Sequence, residues 1–516
     1  MPSSGFASPI ANLEPRLRGL LPADLYASVW LDPTTASLMR VFEHLRTLQR
    51  ILGDYIARQV LEVLPKPGEI RYEWQEGTLM FTDLAGFTPL IEANSGKGTE
   101  GAKALLGIMN NYFAGMIEII SKSGGNVLEF TGDAMLAQFP ADARGKEAAQ
   151  AVRAGLRMQH AMEHLGKVET ENGLLTLGMR VGVHSGKFLT ADIGTPRRMD
   201  HVLLGNSVRL TKRAEGAGTV GRVCLTDTFK DRIKAQFRVE PTKEDHSLVI
   251  DDLTIDQLGE FDLSPSSRRV SGVPLMDRSL EGLTAGIEEV LQRVEPMAGY
   301  LPTPILNLLV ENTTRREVPP DFPIATVIFI TLIGLSELAD DIAPGDELAL
   351  VMDFSRAFTL INAAVEAHGG ILKKVTYHLS GSDIMIVFGV PQAHTDDVLR
   401  AATAALQIRD MISNLKLPNI GDREIKMATK IGVASGPSFA GEIGEPRGRR
   451  EFNVLGDTVN TSARLMSKAH ENEILITETV YQQVKARLDC EALGTMPLKG
   501  KALPTNVYNL KASLES

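Results

Sequence analysis

Two aspartates in the first half of the chain have the side chains and the spacing for phosphate chemistry. Asp83 follows the apolar run Thr78–Phe81, which predicts a strand ending at Thr82, and a helical pattern begins soon after it. A helix start presents unpaired N–H groups and a positive dipole end to a phosphate, and a carboxylate beside it suits Mg²⁺. For Asp83 taken alone, an ordinary turn or N-cap aspartate is the alternative.

The second aspartate, Asp133, lies in the Gly132-Asp133 turn of a predicted hairpin, Val127–Phe139. Such a turn can bring its tip close to the end of the neighbouring strand, and therefore close to Asp83. Two carboxylates at short range repel each other unless a cation joins them. The pair therefore predicts a two-metal site for phosphoryl transfer.

Composition limits the classes of protein to consider. The chain has 516 residues, 43% hydrophobic and 23% charged, which fits two to four ordinary globular domains. Its net charge of −10 argues against general nucleic-acid binding. Cys224 and Cys490 are its two cysteines, so we expect neither a disulfide framework nor a cysteine metal site.

No segment reads as a membrane span. The longest apolar stretch, Phe322–Leu335, contains Pro323 and is too short to cross a bilayer, so it predicts a buried strand. Residues 1–18 lack a basic start followed by an apolar core, so no secretory signal is visible. We therefore expect a cytoplasmic protein without a transmembrane segment.

An internal repeat dominates the rest of the chain. Four motifs recur in the same order at offsets of about 250 residues. They pair residues 77–86 with 325–334, 124–125 with 369–370, 179–186 with 429–436, and 202–205 with 453–456. The chain therefore carries two copies of one domain.

Within each copy, strand and helix patterns alternate. In the first, helices are predicted at 89–122 and 145–165, a strand at 177–183, and a further helix from Asn206. This predicts an α+β fold with a mostly antiparallel sheet. The predicted divisions are an N-terminal helical segment (1–70), a first domain (71–240), a linker with a helix near 280–294 (241–315) and a second domain (316–512).

Apolar residues at helical spacing predict a helix from Ala36 to Leu64, beginning after Asp32-Pro33. Two interpretations stay open for it. It forms a dimerising coiled coil, or it packs against the domain that follows. The second is favoured, because the run is short and lacks regular charges beside its apolar stripe.

Four motifs resemble those of class III nucleotidyl cyclases. They are Phe81–Thr88, the Gly124-Gly125 hairpin through Gly132-Asp133, Met179–Gly186, and Leu455–Arg464. The tandem layout resembles soluble adenylyl cyclase and its bacterial relatives. The resemblance implies two ferredoxin-like domains in a head-to-tail intramolecular pseudo-dimer, with active sites between them. It also implies a chain that works as a monomer.

The resemblance assigns one complete site. The first copy would supply the ligands of two Mg²⁺ or Mn²⁺ ions, namely Asp83, Leu84 and Asp133. The second would supply the catalytic pair Asn460 and Arg464, whose spacing puts them on one helix face. In this scheme Asn460 orients the ribose and Arg464 stabilises charge on the α-phosphate.

Substrate-binding positions follow from the same resemblance. Six residues would hold the triphosphate: Gly86, Phe87 and Thr88 at the helix start, Arg180, and more weakly Lys499 and Lys501. Lys374 and Asn453 match the two positions that read the purine. A lysine donates to adenine N1, whereas guanine N1 is itself a donor, so ATP is favoured over GTP.

The reciprocal site lacks its carboxylates. Thr331 stands where the first copy has Asp83, and Ser382 stands opposite Asp133, with Asp383 as the alternative. Arg209 and Arg213 replace the Asn and Arg of the other half. We expect a degenerate pocket with a regulatory role or none.

Glu129 stands where soluble adenylyl cyclase has a lysine that helps to bind bicarbonate. A carboxylate there opposes activation by bicarbonate, and pairing of Glu129 with Arg209 or Arg213 is the structural alternative.

The sequence therefore predicts an adenylyl cyclase that converts ATP to cyclic AMP and pyrophosphate. A guanylyl cyclase is the first alternative. The second is an inactive cyclase pair that binds nucleotide as a regulatory module.

Overall fold

The structure is a computed structural model. It describes residues 11–170, 173–259, 277–314, 318–339, 342–378, 381–418, 420, 425–445, 448–499, 501 and 504–514. The chain divides into two compact units. One comprises residues up to Glu69, Thr195–Met199 and Pro265–Pro319, and the other comprises Ile70–Gly194, Asp200–Ser264 and Pro320–Ser516. Both repeats lie in the second unit.

The elements follow each other in chain order. The N-terminal helices are α1 (Glu14–Leu17), α2 (Ala23–Leu31), α3 (Thr35–Tyr55) and α4 (Arg58–Glu62). The first repeat contains β1 (Arg71–Ala85), α5 (Phe87–Ser95), α6 (Gly98–Lys122), β2 (Asn126–Thr131), β3 (Ala134–Pro140), α7 (Glu147–Leu165), β4 (Lys167–Thr170), β5 (Gly173–Thr176), β6 (Gly178–Thr195), β7 (Arg198–Leu204), α8 (Asn206–Ala217), β8 (Val223–Thr226), α9 (Asp227–Lys230), β9 (Val239–Pro241) and β10 (His246–Val249). The connecting helices are α10 (Leu280–Ala298) and α11 (Thr303–Glu311). The second repeat contains β11 (Ile324–Ile333), α12 (Leu335–Ala339), α13 (Glu347–Ala367), β12 (Ile371–His378), β13 (Gly381–Phe388), α14 (Asp397–Ser413), β14 (Ala428–Pro437), β15 (Phe439–Gly444), β16 (Arg450–Leu455), α15 (Asp457–Lys468), β17 (Glu473–Thr477), α16 (Glu478–Val484), β18 (Leu488–Met496) and β19 (Thr505–Ser513).

The first unit is helical and is built around the α3–α10 pair. Helix α3 begins at Thr34, whose hydroxyl accepts a hydrogen bond from the Ser37 N–H as an N-cap. Its apolar stripe is fully buried, and the Phe42 ring lies against Gly286 of α10. The sequence predicted one helix from Ala36 to Leu64, whereas α3 ends at Tyr55 and α4 follows from Arg58 to Glu62. The sequence also did not predict that α10 is a packing partner.

The first sheet has strand order β2-β3-β1-β6-β8-β10-β9. Strands β3 and β6 flank β1 on its two sides, both antiparallel to it, while β6 and β8 are parallel. The order β2-β3-β1-β6, with helices between β1 and β2 and between β3 and β6 and a hairpin joining β2 to β3, is ferredoxin-like. The predicted α+β fold with a mostly antiparallel sheet is confirmed.

The second sheet repeats this order as β12-β13-β11-β14-β17-β19-β18. Its register places Thr331 opposite Asp383 and Leu332 opposite Ser382. The repeat matches Asp83 and Leu84 with Thr331 and Leu332. In the first sheet Thr82 lies opposite Met135, and continuing this register by two residues brings Leu84 opposite Asp133, as Leu332 lies opposite Ser382. The strand pairing therefore supports the alignment of Ser382 with Asp133.

The two repeats contact each other head to tail within the second unit. The Gly194 N–H donates to Ser355 Oγ at 2.9 Å, and the Gly444 N–H donates to Asn110 Oδ1 at 3.1 Å. Both glycines have φ +116° at corresponding strand ends, and both acceptors lie on corresponding helices, α13 and α6. These reciprocal bonds are what a two-fold pseudo-dimer requires.

Helices α6 and α13 are long and apolar enough to cross a membrane by length and composition. They are counterparts in the two repeats, and each contributes a row of buried side chains to its domain core, including Phe113 and Phe358. Core helices of this kind pass the same test, so they are weak evidence for a span.

Three predicted bounds need correction. Strand β1 continues past Thr82 to Ala85, because its pairing with β6 continues to Gly178. The single helix predicted at 89–122 is two helices, broken before Gly98, which has φ +56°. The first sheet also extends beyond residue 240, because β10 pairs with β8 and β9.

Candidate active site

Asp83 lies in β1, directly opposite Arg180 of β6, and forms an ion pair with it. Arg180 Nη2 also lies 3.0 Å from Glu215 Oε1, and Lys212 Nζ lies 2.8 Å from the other oxygen of Glu215. Glu215 is buried on α8. The Lys212 ammonium sits 4.0 Å above the Phe81 ring, a cation–π contact. Asp83 therefore belongs to a charge network that holds Arg180 beside its carboxylate.

Asp133 occupies the two-residue turn between β2 and β3, after Gly132 with φ +71°. Burial, and then the charge of Asp83, raise the pKa of Asp133 above its usual range. The same two aspartates, after burial, raise the pKa of Tyr112. The register of β1 with β3 therefore puts the Asp133 turn at the end of β1 that carries Asp83.

The turn before α5 also has the predicted form. Gly86 is the N-cap of α5 and has φ +90°, where a Cβ would lie 3.3 Å from the Thr176 carbonyl oxygen. Leu84 and Phe87 are buried, and Thr88 is half-buried in the first turn of the helix. Helix N–H groups therefore lie beside Asp83 at the strand end.

The second repeat contributes α15, which begins after Gly456 with φ +138°. Asn460 and Arg464 lie one turn apart on this helix and both are half-buried. A Cβ on Gly132 would lie 3.7 Å from Leu455 Cδ2 at the end of β16. The hairpin that carries Asp133 therefore lies against the strand end from which α15 starts.

Arg464 and Lys501 meet at Asp457, in the first turn of α15. Lys501 forms an ion pair with Asp457 Oδ2, and Arg464 Nη1 is 4.0 Å from Oδ1. Within the described part of the chain, Arg464 Nη1 is buried and makes no hydrogen bond. Lys499 is exposed to solvent.

The two residues that the sequence predicts to read the purine, Lys374 and Asn453, are largely enclosed in the second repeat. Asn453 is 1% exposed, and its Nδ2 has no hydrogen-bond partner among the described residues. Lys374 lies 3.7 Å from Glu451 Oε1, and the preceding Lys373 forms a close ion pair with the same oxygen. Lys374 and Asn453 thus both present unsatisfied donors.

In the second repeat, a buried hydrogen-bonded pair occupies the position that corresponds to Asp83. The Thr331 hydroxyl donates to Asp383 Oδ1 at 2.6 Å, and it lies 3.1 Å from Met466 Sδ. Burial raises the pKa of Asp383 to about 7, although the Thr331 hydrogen bond lowers it. Ser382 is fully buried.

The remaining residues of the second pocket are less enclosed. Arg213 is exposed, and Arg209 donates to Asn206 Oδ1 at 3.0 Å. Glu129 accepts a hydrogen bond from Thr131 at 3.1 Å. Burial raises the pKa of Glu129, and the charge of Lys374, from the second repeat, lowers it.

Sequence reasoning missed Glu215, Lys212, Asp457, Lys373 and Glu451. A comparison of the repeats could have found two of them, because Met466 and Ala463 are the second-repeat counterparts of Glu215 and Lys212. The others needed the strand register. In the described chain no cluster of three or more His, Cys, Asp or Glu residues could hold a metal.

Comparisons with known proteins give the chain its family. The adenylate and guanylate cyclase catalytic domain model matches it twice, at residues 71–249 and 318–512. Adenylate cyclase type 10 of Oryctolagus cuniculus is 24% identical over 439 residues, 83% of this chain and 25% of that protein. An adenylate cyclase of Mycobacterium bovis is 30% identical over 213 residues, 41% of this chain and 45% of that protein. The chain thus spans less than half the length of either relative.

Among solved structures, a class III adenylyl cyclase-like ATP-binding protein from Pseudomonas aeruginosa has the same fold over most of both chains. It superposes with a TM-score of 0.56 at 14% identity and covers 86% of this chain and 92% of its own. The evidence for two copies of one domain agrees: the family model matches twice, the two sheets have the same strand order, and the repeats make reciprocal contacts. The chain belongs to the adenylate and guanylate cyclase family and carries two of its catalytic domains in tandem.

Proposed function

We propose that this chain is an adenylyl cyclase with one active site between its two repeats. ATP would be converted to 3′,5′-cyclic AMP and pyrophosphate. One observation carries the proposal. Asp83 and Asp133 occur in one repeat, Asn460 and Arg464 in the other, and the elements that hold the two sets meet where Gly132 packs against Leu455.

The donor set fits Mg²⁺ or Mn²⁺. Asp83 and Asp133 offer carboxylate oxygens, and Leu84 follows Asp83 in β1. Burial, and then the charge of Asp83, raise the pKa of Asp133, and a cation bound there would stabilise its ionised form. Two such ions, when bound, would lower the pKa of the ribose 3′-hydroxyl and balance the charge of the triphosphate.

The reaction joins the 3′-oxygen to the α-phosphorus and breaks the bond from that phosphorus to the bridging oxygen of pyrophosphate. Asn460 would orient the ribose for this in-line attack. Arg464 would donate to the α-phosphate as charge builds there. Its Nη1 is already buried without a hydrogen bond, so little reorganisation is needed.

The terminal phosphates would be held from both repeats. Arg180 is tied to Asp83 in this structure and also to Glu215, so it can keep one carboxylate partner while it turns towards phosphate. The N–H groups after Gly86 and the ammonium of Lys501 would complete the contacts. Lys499 is a weaker candidate, because it is exposed.

Adenine is the base that the pocket favours. Lys374 would donate to adenine N1, and the Asn453 carbonyl would accept from the adenine amino group. The type 10 and mycobacterial relatives are named adenylate cyclases. A guanylyl cyclase remains the second candidate, because the Asn453 amide can also present donors.

A nucleotide-binding module without turnover is the candidate from another class. The Pseudomonas aeruginosa neighbour is described as an ATP-binding cyclase-like protein. A module that only binds nucleotide has no need for both aspartates together with Asn460 and Arg464, so their joint presence favours turnover. We place this reaction in a single chain in the cytoplasm, with the Thr331 pocket as a spectator or regulatory site.

The test is to incubate purified protein with ATP or GTP and Mn²⁺ and to quantify the cyclic product by chromatography. We expect cyclic AMP to form faster than cyclic GMP. Faster formation of cyclic GMP would favour the guanylyl cyclase, and binding without any cyclic product would favour the module.

A further inference from the structure

Two adjacent lysines of β12 face one carboxylate. Lys373 Nζ forms a close ion pair with Glu451 Oε1, and Lys374 Nζ lies 3.7 Å from that oxygen. The three side chains are 7%, 12% and 13% exposed for Lys373, Lys374 and Glu451. Lys374 Nζ is buried and, among the described residues, makes no hydrogen bond.

A strand normally sends adjacent side chains to opposite faces, so this arrangement needs a cause. The pairing of β12 with β13 shifts register between Leu372 and Lys374, which marks a β-bulge. A bulge adds one residue and re-aims side chains, so two neighbours can point the same way. Glu451 lies two residues before Asn453 on β16, and therefore on the same face of that strand.

The pKa shifts of Glu451 and Lys373 are consistent with a carboxylate that two lysines share unequally. Burial raises the pKa of Glu451, but the charges of Lys373 and Lys374 outweigh it and keep the carboxylate ionised. Burial lowers the pKa of Lys373 to about 8, against the charge of Glu451. One carboxylate thus serves two cations, and the nearer one takes the hydrogen bond.

We propose that Lys373 determines base specificity by occupying Glu451, which leaves the Lys374 ammonium free to donate to the purine. Without Lys373, Glu451 would draw Lys374 away from the base and would itself be free to accept from guanine N1–H. Lys373 is a positioning residue in this scheme, because it acts through Lys374. The inference rests on the proposed function of Lys374 as the purine donor.

The first repeat provides an internal comparison. Its hairpin has the same bulge, between Val127 and Glu129, with Leu128 and Glu129 at the positions of Lys373 and Lys374. Asp200, at the position of Glu451, accepts a hydrogen bond from the Val375 N–H at 3.2 Å. The lysine pair therefore belongs to the repeat that would read the base, and leucine fits the Lys373 position in this fold.

The test measures the affinities of the α,β-methylene analogues of ATP and GTP, which cannot release pyrophosphate, by calorimetry with Mg²⁺. In Lys373→Leu we expect about 10- to 100-fold weaker binding of the ATP analogue, the loss of one hydrogen bond from a charged donor. Binding of the GTP analogue should not weaken. Lys373→Leu/Glu451→Gln should recover most of the ATP preference, because the competing carboxylate is gone.

Lys511→Leu is the matched control, since it removes a lysine from an exposed ion pair with Glu491 in the same domain. It should leave both affinities unchanged. An unchanged ratio of ATP to GTP affinity in folded Lys373→Leu would overturn the inference. Should that variant not fold, Glu451→Gln decides: an ATP preference at least as large as in the wild type supports the inference, and a tenfold loss contradicts it.

Turnover separates this inference from the proposed function. A wild-type chain that binds the ATP analogue selectively but forms no cyclic AMP would contradict the proposed function alone. A wild-type chain that forms cyclic AMP faster than cyclic GMP, while folded Lys373→Leu keeps the wild-type ratio of ATP to GTP affinity, would contradict the inference alone.

Discussion

At the residue scale, the two repeats differ in what they place at the end of the first strand. The first repeat joins Asp83 of β1 to Arg180 of β6 and to Glu215 in a charge network. In the second repeat Thr331 has the position of Asp83, and its hydroxyl instead donates to Asp383 across the β11–β13 pair. A buried charge is costly unless it is paired, so the retained network indicates a task beyond stability.

Glu215 orients Arg180, so Glu215→Met should impair turnover. Methionine is the residue that the second repeat has at this position, as Met466. Arg180 would lose a charged contact at 3.0 Å, and contacts to charged groups are worth about 1.5–3 kcal/mol, so we expect kcat/KM for ATP to fall about 10- to 100-fold. Steady-state kinetics on folded protein measures this, with Met466→Leu as the control. An unchanged kcat/KM would show that Arg180 needs no such support.

Asp383 should make stability depend on pH. Its pKa is raised to about 7 by burial, from about 4 in an unfolded chain. The folded state therefore binds the proton more tightly than the unfolded state. The stabilisation that this proton gives to the folded state is full below pH 4 and is lost as pH rises through 7. In Asp383→Asn the free energy of unfolding should fall less between pH 5 and pH 8 than in the wild type. Urea titrations at both pH values measure this, and equal falls would contradict the burial of a protonated Asp383.

The four residues that we propose for the centre of the site could be named from sequence, because each lies inside a short motif. Glu215 and Glu451 could not, because their partners are distant in the chain or are selected by a bulge. Arg180 meets Glu215 only after α8 packs on β6, and Lys373 meets Glu451 only where β12 comes beside the separate β15–β16 pair. Such contacts depend on register, which local patterns do not reveal.

At the element scale, the pattern of strands and helices was largely predictable, and its ends were not. The apolar run at Thr78–Phe81 marked the core of β1, but the strand continues through Asp83 because β6 offers partners there. The break before Gly98 was missed, although the polar, glycine-containing run Ser95–Gly98 marks it in the sequence. Helix α3 was predicted, whereas its contact with α10 depends on chain segments far apart in sequence.

Close packing of α8 on β6 makes Gly182 sensitive. A Cβ there would lie 2.1 Å from the Glu215 backbone nitrogen, so Gly182→Ala should lower the free energy of unfolding by about 3 kcal/mol or more. Gly216→Ala is the control, because Gly216 lies on α8 next to Glu215. Its Cβ would meet nothing within 4 Å, so stability should stay equal or rise by up to about 1 kcal/mol. Denaturant titration compares them, and equal stabilities would contradict this packing.

At the scale of the whole molecule, the reciprocal bonds of Gly194 and Gly444 relate the repeats by a pseudo-two-fold arrangement. Such symmetry creates two equivalent places between the repeats. Only one of them holds the aspartates, and its other side holds Asn460 and Arg464. We therefore assign catalysis to one of these two sites between the repeats and none to the other.

The second place can be tested through Arg213, which is exposed and occupies the position of Arg464 in the first repeat. Arg213→Ala should leave kcat for ATP within about twofold of the wild type, the size of effect expected for a group outside the reacting centre. Pre-steady-state and steady-state rates of cyclic AMP formation measure this. A collapse of kcat in a folded variant would mean that the second pocket takes part in catalysis.

The central claim is tested most directly by the turnover of Asp83→Ala. Loss of one of two carboxylates that would hold the metal ions should lower kcat for cyclic AMP formation by more than about a hundredfold. Circular dichroism and thermal unfolding would verify that the variant folds. Formation of cyclic AMP at the wild-type rate by folded Asp83→Ala would contradict the assignment of the active site to this pair of repeats.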